Sequence, residues 1–181
     1  MTAALQVPAV RRIATADEMH HLGRELAAAL RPGDLVVLSG PLGAGKTTLT
    51  RGIGEGLEVR GPVTSPTFVL ARTHPSLSGG APLVHVDAYR LSSALELDDL
   101  DIDFARSVVV VEWGAGMLDG VAESWLEVAI ERPTGAAEGA ADQGDAADAE
   151  VDDADEPRTV TLTGFGPRWA SAAGPSPVDP A

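Results

Sequence analysis

The chain has no cysteine among its 181 residues. Disulfides, thiol nucleophiles and cysteine-ligated zinc are therefore excluded. Histidine is scarce too: His20, His21, His74 and His85 are the four, and they lack the spacing of a zinc site. Aromatic residues number only seven, so an aromatic beside a polar motif is a candidate for a role there. Lysine is rarer still, with Lys46 alone against twelve arginines. No apolar run approaches a membrane span, and no N-terminal stretch joins a basic region to an apolar one. The expectation is a soluble cytoplasmic protein, in keeping with the missing cysteines.

Positive charge is also in deficit. The net charge is −14, but nine of the 27 acids fall between Gly135 and Glu156, a stretch with no base. The remainder carries eighteen acids against thirteen bases, a net −5. A mildly acidic body with an acidic insert is a poor nucleic-acid binder by itself. If RNA is involved, another protein is expected to hold it.

What is present centres on Asp34-Leu35-Val36-Val37-Leu38-Ser39-Gly40-Pro41-Leu42-Gly43-Ala44-Gly45-Lys46-Thr47-Thr48. It reads as a buried strand, a glycine-rich turn and a helix start. The turn matches G-x-x-x-x-G-K-[ST], the phosphate-cradling P-loop. Chance gives this pattern in on the order of one chain in a hundred of this length, and the flanking strand and helix patterns lower that further. The glycines let backbone N–H groups approach a polyphosphate, and a helix N-terminus directs its free N–H groups at the anion. Gly43, Ala44, Gly45, Lys46, Thr47 and Thr48 are the expected nucleotide-binding residues. Lys46 would reach the β- and γ-phosphates, and the Thr47 hydroxyl would ligate Mg²⁺. The one lysine thus stands where a compact ammonium, not a planar fork, suits the ligand.

Around this loop the pattern predicts a single α/β domain over residues 9–165, with loose ends at 1–8 and 166–181. Ala9 to Ile13 reads as an edge strand. Thr15 and Glu18 form a capping box that opens a helix to about Leu30. Leu49, Ile53 and Leu57 face one way on the helix after the P-loop. Phe68 to Arg72 and Leu83 to Ala88 read as a hairpin. Leu77-Ser78-Gly79-Gly80 between them resembles the start of a transporter-ATPase signature, but a strand follows at once, so a turn is the better reading. A short helix is expected within Leu91 to Leu100. The four valines 108 to 111 mark a strand buried on both faces of a parallel sheet. Trp125 to Ile130 and Arg158 to Thr163 alternate as strands, joined by an acidic insertion over 133–157 that is expected to be disordered. The fold class is P-loop NTPase-like: three layers, with a mixed, partly parallel sheet and helices on its faces.

A P-loop needs an acidic metal partner at the end of a neighbouring strand. Asp87 after Leu83-Val84-His85-Val86 and Glu112 after the valines both meet that need. His85 suits a hydrogen-bonded structural imidazole as well as a catalytic one. Arg90 suits a phosphate contact or a salt bridge. Thr64, Ser65 and Thr67, stiffened by Pro66, offer hydroxyls for a switch that senses γ-phosphate or Mg²⁺. Trp113 suits packing beside the site or simply filling core. The guanine-reading motif [NT]-K-x-D needs a second lysine, so ATP, or weak base selectivity, is expected over a standard GTPase.

Gly40-Pro41-Leu42-Gly43-Ala44-Gly45-Lys46-Thr47-Thr48, Ser65-Pro66-Thr67-Phe68, His85-Val86-Asp87-Ala88-Tyr89-Arg90-Leu91 and Val111-Glu112-Trp113, in this order and spacing, resemble the TsaE (YjeE) family of small bacterial P-loop ATPases. The similarity spans about Thr15 to Glu131 and resumes at Arg158. It implies a part in making N6-threonylcarbamoyladenosine (t6A) in tRNAs that read codons beginning with A. The implied partners are the transferase TsaD and its paralogue TsaB, with tRNA reached only through that pair. It further implies Mg²⁺ on Thr47 and Glu112, catalytic roles for Lys46, Asp87 and Glu112, and a switch at Ser65 and Thr67. The start of the first helix near Thr15 and Ala16 would border the adenine, and Arg158 would approach the nucleotide. The long acidic insertion and the tail depart from the family's pattern. Two rival readings of the residues stay open: a small P-loop kinase and a nucleotide-gated interaction module.

Overall fold

The run Leu35-Val36-Val37-Leu38 is almost wholly buried. A strand that is apolar on both faces needs neighbours on either side and cover above and below. It forms β2 (Leu35–Ser39), the central strand of a seven-stranded mixed sheet. The structure is a computed structural model and describes residues 5–66, 69–91, 93, 96, 99–113, 122–133 and 156–170. Around β2 stand β1 (Ala9–Ile13), α1 (Ala16–Ala29), α2 (Lys46–Gly56), β3 (Ala71–His74), β4 (Leu83–Asp87), β5 (Val108–Glu112), β6 (Trp125–Glu131), β7 (Arg158–Phe165) and α3 (Pro167–Ala170). The spatial order is β1-β7-β6-β2-β5-β4-β3. β2 runs parallel to β5 and β6, and β5 parallel to β4. β3 with β4, β6 with β7 and β1 with β7 are antiparallel.

Side chains alternate across each strand, so the sheet has two cores. One holds Val36, Leu38, Val108 and Val110 against Met19, Leu22, Leu26, Leu49 and Ile53 of α1 and α2. The other holds Leu35, Val37, Val109 and Val111, covered by Leu70, Leu100, Ile102, Phe104 and Trp125. Both longer helices therefore lie on one face, and among the described residues the second face is covered by connecting segments. The helix expected within Leu91 to Leu100 falls largely outside the described residues, as does most of the insertion over 133–157. No helix among the described residues is long and apolar enough to cross a membrane.

α1 starts as its capping box requires: Thr15 Oγ1 accepts from the Glu18 amide at 3.1 Å, and Glu18 Oε2 accepts from the Ala14 amide at 2.6 Å. It then crosses α2 at unusually short range. A Cβ on Gly23 would lie 2.8 Å from the Ile53 nitrogen, and one on Gly52 would collide with the His20 carbonyl. Two glycines facing each other set this approach, which apolar periodicity alone does not announce.

The expected hairpin forms, but its first strand is shifted: β3 shares only Ala71 and Arg72 with the expected Phe68 to Arg72, and Phe68 lies outside the described residues. β3 begins at Ala71 rather than Phe68, since Leu70 takes a left-handed φ of 65° before the ladder starts. Leu77 to Gly80 lie in the β3–β4 connection, where Ser76 Oγ accepts from the Gly80 amide at 2.9 Å, as a turn should.

Of the loose ends expected at 1–8 and 166–181, residues 5–8 and 166–170 are described and pack on the body, and the rest lie outside the described residues. Val7 is buried, and Leu5 packs on the same core. Beyond Gly166, whose φ is 80°, the chain doubles back into α3 and buries Trp169. Arg168 fixes this return. Its Nε and Nη2 donate to Asp34 Oδ1 and Oδ2 at 2.9 and 3.0 Å, and Nη2 also donates to the Ala29 carbonyl at 2.9 Å. Asp34 in turn accepts from the Arg31 amide at 3.0 Å, so one carboxylate ties α3 to the turn between α1 and β2. A tail rich in Pro, Ala and Ser hides this, since among its described residues Arg168 and Trp169 carry the docking.

Two substitutions test these contacts by urea denaturation. Gly52→Ala forces α1 and α2 apart and is expected to cost about 1–3 kcal/mol. Arg168→Ala leaves Asp34 buried without its cation and is expected to cost about 2–4 kcal/mol, with Arg168→Lys between it and wild type.

Candidate nucleotide site

The P-loop sits between β2 and α2. Gly45 has a φ of 107° at the N-cap of α2, a left-handed conformation that a side chain would strain. Lys46 opens the helix and is buried. Its ammonium donates to the carbonyls of Gly40 and Pro41 at 2.8 and 2.9 Å, so the loop is wrapped around its own lysine. The Trp113 ring lies under the same ammonium, 3.8 Å from centroid to Nζ, a cation–π contact. Trp113 reaches this position through a φ of 64°, which turns the chain directly after β5. Tyr89 meets the ring edge-on, with centroids 5.5 Å apart.

The parallel ladders bring the acids to the same edge. Asp87 is the register partner of Glu112, and Glu112 that of Leu38. Asp87 and Glu112 end neighbouring strands on the helix-facing side, and both are buried. Thr47 Oγ1 donates to Glu112 Oε1 at 3.3 Å. Asp87 Oδ1 accepts from the Tyr89 amide at 3.0 Å, capping the 3-10 turn Ala88–Arg90. His85, fully buried on the same face, makes a 2.8 Å contact from Nε2 to Glu112 Oε1. The imidazole left open by the sequence is thus committed to a carboxylate.

Burial lowers the pKa of Lys46 below the usual 10.5, and the negative charges of Glu112 and then Asp87 oppose the shift. The lysine is thus poised to gain from an anion. The donor set also suits a hard cation. Thr47, Asp87 and Glu112 offer oxygen only, as Mg²⁺ prefers. Among the described residues no three His, Asp or Glu side chains gather into a metal cage. A cation here would need oxygens from its ligand, which is how Mg²⁺ commonly binds with nucleotide phosphates.

The other expected residues divide. Ser65 is exposed in the segment after α2, while Thr67 lies outside the described residues. Neighbouring Thr64 accepts from Arg72 Nη1 at 3.0 Å. Arg158 is buried, with Nη2 donating to the Gly43 carbonyl at 3.4 Å. It braces the P-loop from β7, a contact between residues 115 apart that local pattern does not encode. For Arg90 the structure fixes only the backbone, in the 3-10 turn.

The family model described as threonylcarbamoyl adenosine biosynthesis protein TsaE matches residues 13–138. The chain belongs to the TsaE family. A Streptomyces coelicolor protein described as tRNA threonylcarbamoyladenosine biosynthesis protein TsaE is 58% identical over 157 residues, covering 85% of this chain and 95% of that one. A Bacillus subtilis protein of the same description is 36% identical over 124 residues, covering 67% of this chain and 76% of its own length. The crystal structure of Bacillus subtilis YdiB superposes with a TM-score of 0.66 at 27% identity, covering 94% of both chains. The P-loop NTPase-like α/β fold of this TsaE family member is thus supported by structure as well as by sequence.

The lysine carries a pH prediction. A bound polyphosphate favours the ammonium, so binding takes up a proton wherever free Lys46 is partly neutral. Affinity for ADP is therefore expected to fall as pH rises, beginning below the 10.5 of an ordinary lysine. Titration of fluorescent ADP across the alkaline range measures it, and an affinity flat up to pH 10.5 would contradict the burial described.

Proposed function

We propose that this chain is an Mg²⁺-dependent ATP hydrolase of the machinery that forms t6A on tRNAs reading codons beginning with A. It would act in the cytoplasm with the TsaD–TsaB transferase pair and meet tRNA through that pair. One observation carries the reading: the Lys46-Thr47 pair, Asp87 and Glu112, from three distant parts of the sequence, converge at one edge of the parallel strands β2, β5 and β4. The descriptions of the relatives direct that site toward threonylcarbamoyladenosine biosynthesis, and the net charge of −14 favours a protein intermediary over direct RNA contact.

The roles follow from what each group can do. The amides from Gly43 to Thr48 bind phosphate oxygens at the α2 N-terminus. Lys46 exchanges the Gly40 and Pro41 carbonyls for phosphate oxygens, a gain because a buried ammonium is better matched by anions than by neutral acceptors. Thr47 and Glu112 would hold Mg²⁺, which supplies neutralisation of charge on the transferring phosphoryl group. Asp87, capped at Oδ1 by the Tyr89 amide, keeps a carboxylate fixed at the strand end to orient the attacking water. Ser65 and Thr67 are the switch that registers γ-phosphate. Hydrolysis needs positioning more than covalent help, so slow turnover alone and faster turnover with the partner pair are expected.

Purified protein with Mg-ATP, with and without TsaD–TsaB, tests the reading. Lys46→Ala is expected to weaken ATP binding about 10- to 150-fold, the equivalent of about 1.5–3 kcal/mol for a charged hydrogen-bonding group. Failure of the wild type to bind ATP under either condition would overturn the proposal. An Asp87→Ala variant that no longer hydrolyses ATP yet still supports modification would replace hydrolysis with nucleotide-gated interaction.

A further inference from the structure

We propose that His85 is a positioning residue for Glu112, acting through its Nε2–H to hold the carboxylate in the orientation that receives Mg²⁺. The proposal rests on the nucleotide-site reading above. His85 is 0% exposed, so it cannot itself touch a nucleotide or a water in the cleft. It lies on β4 opposite Val110 of β5, one face-repeat short of the Asp87–Glu112 pair. From there its ring reaches Glu112 from beneath the sheet edge. An ionised carboxylate only accepts hydrogen bonds, so the 2.8 Å contact places the proton on Nε2.

The other nitrogen argues that this contact is why a histidine is present. Nδ1 is buried with no hydrogen-bond partner among the described residues. A leucine or methionine would fill the same volume without stranding a polar atom. The imidazole is accounted for by what Nε2 does. Thr47 Oγ1 reaches the same Oε1 at 3.3 Å, so two donors from different elements fix one oxygen and with it the rotation of the carboxylate. Ligating side chains held by an outer donor in this way lose metal affinity when the donor is removed, typically by about 10- to 100-fold.

The test is an Mg²⁺ titration of the full chain with fluorescent ADP, paired with ADP binding in the presence of a chelator. His85→Met is expected to weaken the apparent Mg²⁺ affinity about 10- to 100-fold while leaving metal-free ADP binding unchanged. His85→Gln, which keeps a side-chain N–H for the carboxylate, is expected to restore most of that loss. Long-range ¹H–¹⁵N spectra of the free wild type should show a proton on Nε2. The proposal falls if His85→Met keeps wild-type Mg²⁺ dependence, if Gln rescues no better than Met, or if Nε2 carries no proton. Should the Mg²⁺ loss track melting temperature across the two variants, the ring is a structural residue only, which also overturns it. A wild type that binds Mg-ADP normally beside an unaffected His85→Met defeats this inference alone, whereas a wild type that binds no nucleotide defeats the reading on which it rests.

Discussion

Three charged side chains, Lys46, Asp87 and Glu112, are taken out of water together, and the local architecture answers to that constraint. A buried charge is tolerated only when its partners come with the fold. Here they do. The loop turns its own carbonyls of Gly40 and Pro41 onto the ammonium, and Trp113 adds the face of an indole. Glu112 is met by Thr47 and His85, and Asp87 by the backbone of the turn it caps. These partners come from β2, α2, β4 and β5, so the site and the parallel part of the sheet stand or fall as one unit. A register slip of one residue between β4 and β5 would send Asp87 to the other face and leave Glu112 without its histidine.

The helix crossing serves the same end. The N-terminus of α2 carries the P-loop, and its direction is set by how the helix lies on the sheet and against α1. The Gly23–Gly52 approach removes any side chain from between the two axes. α1 in turn is anchored past its C-terminus by the Arg168–Asp34 pair, which also fastens the start of β2. A residue near the chain's far end thereby steadies the strand that feeds the P-loop.

Much of this was legible in the residues. The apolar runs of β2 and β5, the capping box of α1 and the P-loop each carry their signal within a short window, because each is governed by local backbone chemistry or by burial on both faces. Asp87 and Glu112 were legible as strand-end acids, and the motif set around them pointed to the TsaE family. Other features were not legible, for a common reason. The His85–Glu112 bond, the Arg158–Gly43 contact and the Arg168–Asp34 pair join residues 27, 115 and 134 apart. Their identity depends on strand order and register, which no window contains. Trp169 was masked by its setting, a lone aromatic within a composition that elsewhere reads as tail. Thr67 and the centre of the acidic insertion lie outside the described residues.

The direction of β6 has a consequence for how charge is distributed over the molecule. β6 runs parallel to β2, so its C-terminal end at Glu131 emerges at the edge where β2 hands over to the P-loop. β7 re-enters at that edge, with Arg158 already against Gly43 and Arg132 paired to Glu156 at 3.8 Å. The described chain thus leaves the body after β6, one strand over from β2, and re-enters before β7, two strands over, on the P-loop side of the sheet. An anion held at the P-loop would share that edge with the Glu156 carboxylate, and ionic strength becomes a variable of the site itself.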